Sequence, residues 1–194
     1  MATAPFSVDV KAQLLDRARI ALVMVDLQYR LLYNMFEPER VLSNSRLLLR
    51  LAEVLKLPAI LTTQYVAGLG GLHPEVQQRA DGLKPFDKVS FGCFEDLGFV
   101  RHLQTRAPRA NTLLLAGVES HICVMQTALG AIAAGYLVHV VADAVSSRTA
   151  TNWQLGLERM QRAGATITSA ETAIYELLRR AGTPEFKAML PYLK

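Results

Sequence analysis

The 194-residue sequence has few cysteines and no long uninterrupted apolar segment. Its only two cysteines, Cys93 and Cys123, are too few for a disulfide framework and form neither a CxxC pair nor a Cys/His cluster. No apolar run approaches the roughly 20 residues that a membrane-spanning helix needs. The N-terminal stretch MATAPFSVDVKAQLLDRAR carries acids and lacks the apolar core of a secretory signal. We therefore expect a cytoplasmic protein with reduced thiols and no membrane partner.

The chain also lacks a basic cluster interleaved with aromatic residues. Its 21 Lys and Arg residues against 17 Asp and Glu give a net charge of +4, and the basic residues are scattered over the polar faces of presumed helices. Scattered charges of this kind are typical of solvated surfaces, so we expect no nucleic-acid partner. Without repeats, low-complexity tracts or linkers, residues 1–194 are predicted to form a single domain.

Strand-like and helix-like patterns alternate along the chain. The order predicts a parallel sheet with helices on both faces, which is a three-layer α/β/α sandwich. We expect a six-stranded, mostly parallel, Rossmann-like sheet with strand order 3-2-1-4-5-6. The predicted strands are 20–25, 58–63, 87–90, 111–118, 137–142 and 166–168, and the predicted helices are 10–18, 38–56, 75–79, 97–106, 120–135, 151–163, 170–181 and 184–190.

The segment from Asn111 to Gly135 contains the first candidate for chemistry. Ser120 is a favoured residue type for a helix N-cap, which would put Cys123 in the first helical turn. A cysteine at a helix N-terminus can have its pKa lowered from about 8.5 into the range of roughly 3.5–7.5. A reactive thiolate is therefore one interpretation of Cys123, and a small buried hydrophobic residue is the other.

Asp26 and Lys88 are the next candidates. Asp26 ends the first apolar strand, and ligands of open α/β sheets bind beyond the strand ends where the strand order reverses. With the predicted order, this crevice lies between the first strand and the strand that precedes Cys123. Lys88 follows the irregular segment 64–85, and it would stabilise a thiolate if the fold brought it to this crevice. The alternatives are a loop-capping aspartate and a solvated lysine.

Several segments together resemble the isochorismatase-like cysteine hydrolases, a family that includes nicotinamidases and N-carbamoylsarcosine amidohydrolase. The matching segments occur in the family's order, and the last one is most similar to the isochorismatase domain-containing, nicotinamidase-related branch. They are Val25-Asp26-Leu27-Gln28, Lys88 with Phe91, the run AGVESHICV at 116–124 with Thr127, and Gly135 leading to VHVVADAVSSR at 138–148.

The resemblance implies a catalytic triad of Asp26, Lys88 and Cys123 and a non-proline cis peptide between Val118 and Glu119. It further implies an oxyanion hole formed by the backbone N–H groups of Glu119 and Cys123. Such an enzyme would cleave a C–N bond of a small amide or carbamoyl substrate through a Cys thioester. The family commonly forms homo-oligomers, so a dimer or a larger assembly is expected.

Four neighbouring residues are predicted to line the substrate pocket. They are Gln28, Gln64, Tyr65 and Phe91. For the two aromatic residues, core packing is an equally good interpretation.

The sequence departs from the nicotinamidase pattern after the second strand. Nicotinamidases carry an Asp-x-His metal motif and a second His there, whereas this chain reads LTTQYV at 61–66 with only His73 nearby. We therefore predict no metal and no cofactor. True isochorismatases replace the cysteine and cleave a vinyl ether, so Cys123 argues against that reaction. A non-catalytic ligand-binding or scaffold protein of this fold remains the alternative from another class, and isochorismatase-type ether hydrolysis remains a third.

Overall fold

The centre of the fold is strand β1, Ile20–Val25, in which every residue is buried. A continuous apolar run of this kind is typical of a parallel strand that is covered on both faces. In the computed structural model, which describes residues 14–193, β1 belongs to a six-stranded parallel sheet with the order β3-β2-β1-β4-β5-β6. The predicted α/β class, three-layer sandwich and strand order 3-2-1-4-5-6 are confirmed.

Helices cover both faces of this sheet. Successive residues of β1 alternate between two apolar cores, with Leu22 and Met24 on one face and Ala21 and Val23 on the other. The strands are β1 Ile20–Val25, β2 Ala59–Gln64, β3 Phe86–Lys88, β4 Thr112–Val118, β5 Leu137–Ser146 and β6 Thr166–Thr168. The helices are α1 Tyr29–Leu32, α2 Pro38–Leu55, α3 Val66–Leu69, α4 Pro74–Arg79, α5 Leu97–Arg106, α6 Cys123–Ala133, α7 Ala150–Arg162, α8 Ala170–Leu178 and α9 Pro184–Met189, with short 3-10 helices at Cys93–Glu95 and Leu190–Tyr192.

Most predicted elements are present with small shifts at their ends. The predicted strand 137–142 is too short, because β5 continues to Ser146 beside β4 after a register irregularity between Leu115 and Gly117. The short helices α1 and α3 were not predicted, since neither is long enough to show a helical repeat. Residues 10–13 of the predicted helix 10–18 lie outside the described residues, and residues 14–18 form no helix.

The edge where the parallel strands end is the part of the fold that positions the candidate site. β1 and β4 are neighbours, with Val25 aligned to Gly117, and the helices that follow them pack into the cores on opposite faces of the sheet. Gly117 has a φ of +114°, and a Cβ there would overlap the backbone of Val25. This close approach requires glycine. The crevice expected from the strand order therefore opens directly beyond Val25 and Gly117.

Candidate active site

Asp26 and Lys88 form a buried ion pair at this edge. Asp26 follows β1 with a φ of 52°, in the left-handed region that aspartate tolerates better than most residues. The Nζ atom of Lys88 lies 2.7 Å from Oδ2 of Asp26, and both side chains are fully buried. Removing two charges from water is costly, so such a pair persists only with further hydrogen bonds.

Three further groups supply those hydrogen bonds. The Thr62 hydroxyl donates to Oδ1 of Asp26 at 2.7 Å. The Nζ atom of Lys88 also donates to Oε1 of Gln64 at 2.7 Å and to the carbonyl oxygen of Ser90 at 3.3 Å. β3 lies two strands away from β1, a separation of about 10 Å at about 4.8 Å per strand. Only a long side chain at Lys88 can therefore cross β2 to reach the carboxylate.

Cys123 is the first residue of α6, and its side chain is almost buried, with the residue 6% exposed. The N-cap is Ile122, which makes no side-chain capping bond. The prediction that Ser120 caps this helix is therefore wrong. The Ser120 hydroxyl instead lies 2.6 Å from the hydroxyl of Ser147, because β5 extends far enough to bring Ser147 beside the β4–α6 connection.

The pKa of the Cys123 thiol is raised to about 12, chiefly by burial. The charge of Asp26 and a hydrogen bond from the thiol to its carboxylate raise this pKa further, whereas the positive charge of Lys88 lowers it. Of the two interpretations of Cys123, this shift favours the buried residue over the thiolate with a lowered pKa, because desolvation of the thiolate outweighs the favourable charges. With this pKa the thiol is protonated at neutral pH.

The connection between β4 and α6 carries two free backbone donors. The peptide bond between Val118 and Glu119 is cis, as the resemblance implied. Across residues 14–193, the N–H groups of Glu119 and Cys123 donate to no other protein group. For Cys123 this is expected, because the first N–H groups of a helix have no intrahelical acceptor. The Glu119 carboxylate is paired with Arg148 at 3.0 Å from its Nε.

The four predicted pocket residues fall into two classes. Gln28 is fully buried, and its amide already bonds to the main chain of Gln64 and Gly70. Gln64 is also buried and bonds to Lys88 and to the carbonyl oxygen of Val89. Tyr65 and Phe91 are 53% and 55% exposed, so neither ring is packed in the core. Both aromatic residues lie beside the ends of β2 and β3, where Lys88 is anchored.

One buried residue beside the ion pair, Thr62, escaped the sequence interpretation. Thr62 interrupts the apolar run of β2, and this buried polar position was the available signal. Cys93 is also fully buried, and its backbone N–H donates to the Thr127 hydroxyl. Burial raises the pKa of its thiol to about 12, while the charges of Lys88 and Asp26 act on it in opposite directions.

His73 has a local structural role. Its Nδ1 accepts from the N–H of Glu75 at the start of α4, and its ring stacks on Tyr29. Within residues 14–193, no group of three or more His, Cys, Asp or Glu side chains is arranged to hold a metal ion. None of the helices in this part of the chain is long and apolar enough to cross a membrane.

Comparison with known proteins identifies the family. The Isochorismatase domain matches residues 20–172, which include Asp26, Lys88 and Cys123. The chain belongs to the isochorismatase domain family. Curated members of this family are similar over most of their length. The secreted isochorismatase effector Isc1 of Phytophthora sojae is 40% identical over 82% of this chain and 77% of its own. Isochorismatase domain-containing protein 2 of Pongo abelii is 34% identical over 89% and 82%.

Solved structures share the isochorismatase domain fold. The MAR1 ribonuclease from Caenorhabditis elegans has a TM-score of 0.86 at 31% identity, covering 93% of this chain and 92% of its own. YcaC from Pseudomonas aeruginosa, solved with hexane-2,5-diol and covalent acrylamide, has a TM-score of 0.84 at 28% identity and the same coverage. YcaC from Escherichia coli, described as an octameric hydrolase of unknown specificity, has a TM-score of 0.83 at 28% identity, covering 98% and 95%.

Proposed function

We propose that this isochorismatase-family protein is a cysteine hydrolase that cleaves a C–N bond of a small amide or carbamoyl compound. The observation that carries the proposal is the fully buried pair of Asp26 and Lys88 together with the buried Cys123 thiol, whose pKa both charges influence. A buried ion pair adds little net stability. Its position next to a nucleophile at the strand-end crevice favours a catalytic role.

Attack on the substrate begins from the neutral thiol. Asp26 accepts the proton as Sγ of Cys123 bonds to the carbonyl carbon, and the carbonyl electron pair moves to oxygen. Lys88 keeps a positive charge beside Asp26 and the sulfur while this proton moves. The raised pKa of Cys123 fits this sequence, because the proton leaves only when the substrate carbon accepts the sulfur electrons.

The two free backbone N–H groups form the oxyanion hole in this mechanism. The N–H groups of Glu119 and Cys123 donate to the negative oxygen of the tetrahedral intermediate. Loss of one donor of this kind typically lowers the rate by ~10²–10³. These donors belong to the main chain, so they remain in every side-chain variant of the triad.

Breakdown of the tetrahedral intermediate and hydrolysis of the thioester complete the reaction, with Asp26 carrying the proton in both steps. The C–N bond breaks, Asp26 gives its proton to the leaving nitrogen, and a thioester remains on Cys123. Asp26 then accepts a proton from water, which attacks the thioester carbon. The C–S bond breaks, the acid product leaves, and the thiol regains its proton from Asp26. No external oxidant or reductant is needed.

The predicted pocket residues contribute in two ways under this proposal. The exposed rings of Tyr65 and Phe91 line the approach to the thiol and contact the substrate. Gln64 holds Lys88, and Gln28 holds the main chain of Gln64, so both act as positioning residues. Lys88 is the last residue of the edge strand β3, and Phe91 lies three residues after it.

We also propose that the chain forms a homo-oligomer. Tyr33, Val89 and Leu97 are large apolar or aromatic residues that are each more than two-thirds exposed. The structurally similar YcaC from Escherichia coli is octameric. Light scattering coupled to gel filtration should give a mass at least twice the 21.4 kDa of one chain. A monomeric mass would contradict this part of the proposal.

Covalent trapping tests the nucleophile. Acrylamide is a suitable probe, since YcaC from Pseudomonas aeruginosa carries it covalently. Mass spectrometry of the intact and digested protein should locate one adduct on Cys123. The adduct should persist in Cys93→Ala and be absent in Cys123→Ala. An adduct that stays in Cys123→Ala would contradict the assignment of the nucleophile.

Turnover tests the reaction class. A panel of small amides and carbamoyl compounds, followed by ammonia release, should give activity that Cys123→Ala abolishes and Cys93→Ala retains. Labelling of Cys123 without hydrolysis of any member would favour the non-catalytic binder. Ether hydrolysis that survives in Cys123→Ala would favour isochorismatase-type chemistry. Either result would overturn the amidohydrolase proposal.

A further inference from the structure

A second candidate binding site lies away from the triad, on the helical layer that covers one sheet face. It is a surface cavity of about 170 Å³ between α2, α4 and the C-terminal 3-10 helix. None of its residues belongs to the candidate active site. The wall consists of three arginines, two hydroxyl-bearing residues and one leucine, namely Ser43, Arg46, Leu47, Arg50, Arg79 and Tyr192.

The fold brings the three guanidinium groups together from two helices. Arg46 and Arg50 are four residues apart on α2 and therefore share one face of that helix. Arg79 comes from the last turn of α4. The guanidinium of Arg50 lies over the ring of Tyr192, 4.9 Å from its centroid, and donates to its hydroxyl at 2.8 Å. This stacking fixes one cation in the wall of the cavity.

The carboxylates that pair with these arginines leave most of the guanidinium donors unused. Arg46 pairs with Glu75, whereas Arg50 and Arg79 share the same oxygen of Glu53. Neither glutamate lines the cavity, so its wall carries cations and hydroxyl groups with no carboxylate among them. Each guanidinium has five N–H donors, and the structure leaves the buried Nε of Arg50 without an acceptor in the part of the chain that it describes.

We propose that this cavity binds a phosphoryl group, either free phosphate or the phosphate of a small metabolite. Three guanidinium groups contributed by two helices suit a tetrahedral, multiply charged oxyanion better than a planar carboxylate. The hydroxyl groups of Ser43 and Tyr192 lie in the same wall as additional hydrogen-bonding groups. A bound phosphate would neutralise the excess positive charge of three arginines over two glutamates.

Calorimetric titration of the full chain tests the proposal with four probes at equal ionic strength. These probes are inorganic phosphate, glycerol 3-phosphate, acetate and chloride. Saturable binding is expected for inorganic phosphate, glycerol 3-phosphate or both, and the two arms distinguish a free anion from a phosphorylated metabolite. Acetate and chloride should give no saturable binding. Equal binding of acetate, or no saturable binding of either phosphate at millimolar concentration, would overturn the proposal.

Substitutions then locate the site. Arg79→Gln and Arg46→Gln should each weaken phosphate binding at least tenfold, while Arg46→Lys should retain part of it. The matched control is Arg162→Gln, which removes an exposed arginine that pairs with Glu158 on α7. Circular dichroism and the melting temperature without ligand establish that each variant is folded. Equal phosphate affinity in Arg79→Gln, Arg46→Gln and Arg162→Gln would place binding elsewhere and overturn the proposal.

Discussion

The ammonium group of Lys88 and the carboxylate of Asp26 lie 2.7 Å apart with neither side chain exposed to solvent. The two residues are separated by 62 positions in the sequence and by one intervening strand in the sheet. Their interaction therefore depends on the whole parallel arrangement of β1, β2 and β3. Because each charge is compensated only by the other and by a few hydrogen bonds, the pair is sensitive to removal of either member.

The first prediction concerns the stability of this pair. Lys88→Met keeps the length of the side chain but leaves Asp26 buried without its counter-ion, which should lower the free energy of unfolding by about 3–5 kcal/mol. Adding Asp26→Asn should restore most of that loss, since a neutral amide needs no cation. Urea unfolding of the single and double variants measures both effects. A double variant as unstable as Lys88→Met would contradict the argument.

The second prediction separates two roles of Asp26. Its charge and its hydrogen bond both raise the pKa of Cys123, so Asp26→Asn should lower that pKa and accelerate alkylation by iodoacetamide near neutral pH. Amide hydrolysis should nevertheless be lost, because no group remains to protonate the leaving nitrogen.

Both rates for Asp26→Asn are best measured in a Cys93→Ala background, where Cys123 is the only thiol. Cys93→Ala alone is the matched reference. Slower alkylation together with lost hydrolysis would show that the carboxylate is needed to form the thiolate itself. Retained hydrolysis would remove Asp26 from the mechanism.

The third prediction follows from the raised pKa of both thiols. In the folded chain the pKa values of Cys93 and Cys123 are about 12, whereas a thiol in an unfolded chain titrates near roughly 8.5. Between these values the unfolded state releases protons that the folded state retains. The free energy of unfolding should therefore fall as the pH rises from about 9 to 12, by up to about 1.4 kcal/mol per pH unit for each thiol.

Urea unfolding over this alkaline range measures that slope. Cys93→Ala should make the pH dependence of the free energy of unfolding less steep by the contribution of one thiol. The double variant with Cys123→Ala should make it less steep still. Other groups that titrate at high pH contribute equally to all three proteins and cancel in the comparison. An identical slope in the three proteins would contradict the burial argument.

The fourth prediction concerns the close contact of β1 and β4. Gly117→Ala would add a Cβ that overlaps the Val25 backbone at a φ of +114°, so we expect a loss above about 4 kcal/mol in the free energy of unfolding. Gly135→Ala is the matched control, because Gly135 also has a positive φ but its Cβ would meet open space. It should cost only about 1–2 kcal/mol. Equal losses would show that backbone strain alone explains the effect.

The sheet and its three key side chains could be expected from sequence because they follow simple patterns. The buried runs of β1 and β4 are continuous and apolar, and parallel topology brings Asp26 to the crevice that Cys123 faces. The direction of the Cys123 pKa shift could not be derived in this way. It depends on how completely other elements bury the thiol, and no local motif reports that burial.

The hydrogen bonds that support the ion pair could not be predicted from the sequence patterns either. Thr62 and Gln64 bond to the ion pair through side chains whose directions depend on the register of β2 against β1 and β3. The buried amide of Gln28 bonds to the main chain of Gln64 at the end of β2 and to that of Gly70 in the loop after it. A glutamine after a strand gives no indication of which backbone groups will lack partners.

The single amide of Gln28 ties the exit of β2 to the loop at Gly70, and through Gln64 it reaches the nitrogen of Lys88. This linkage makes the interior of the crevice stiff. Under the proposed function, an incoming substrate would have to fit this fixed set of buried groups, and adaptation would be left to the exposed rings of Tyr65 and Phe91. New specificities could then evolve by substitution of these exposed residues while the buried groups stay unchanged.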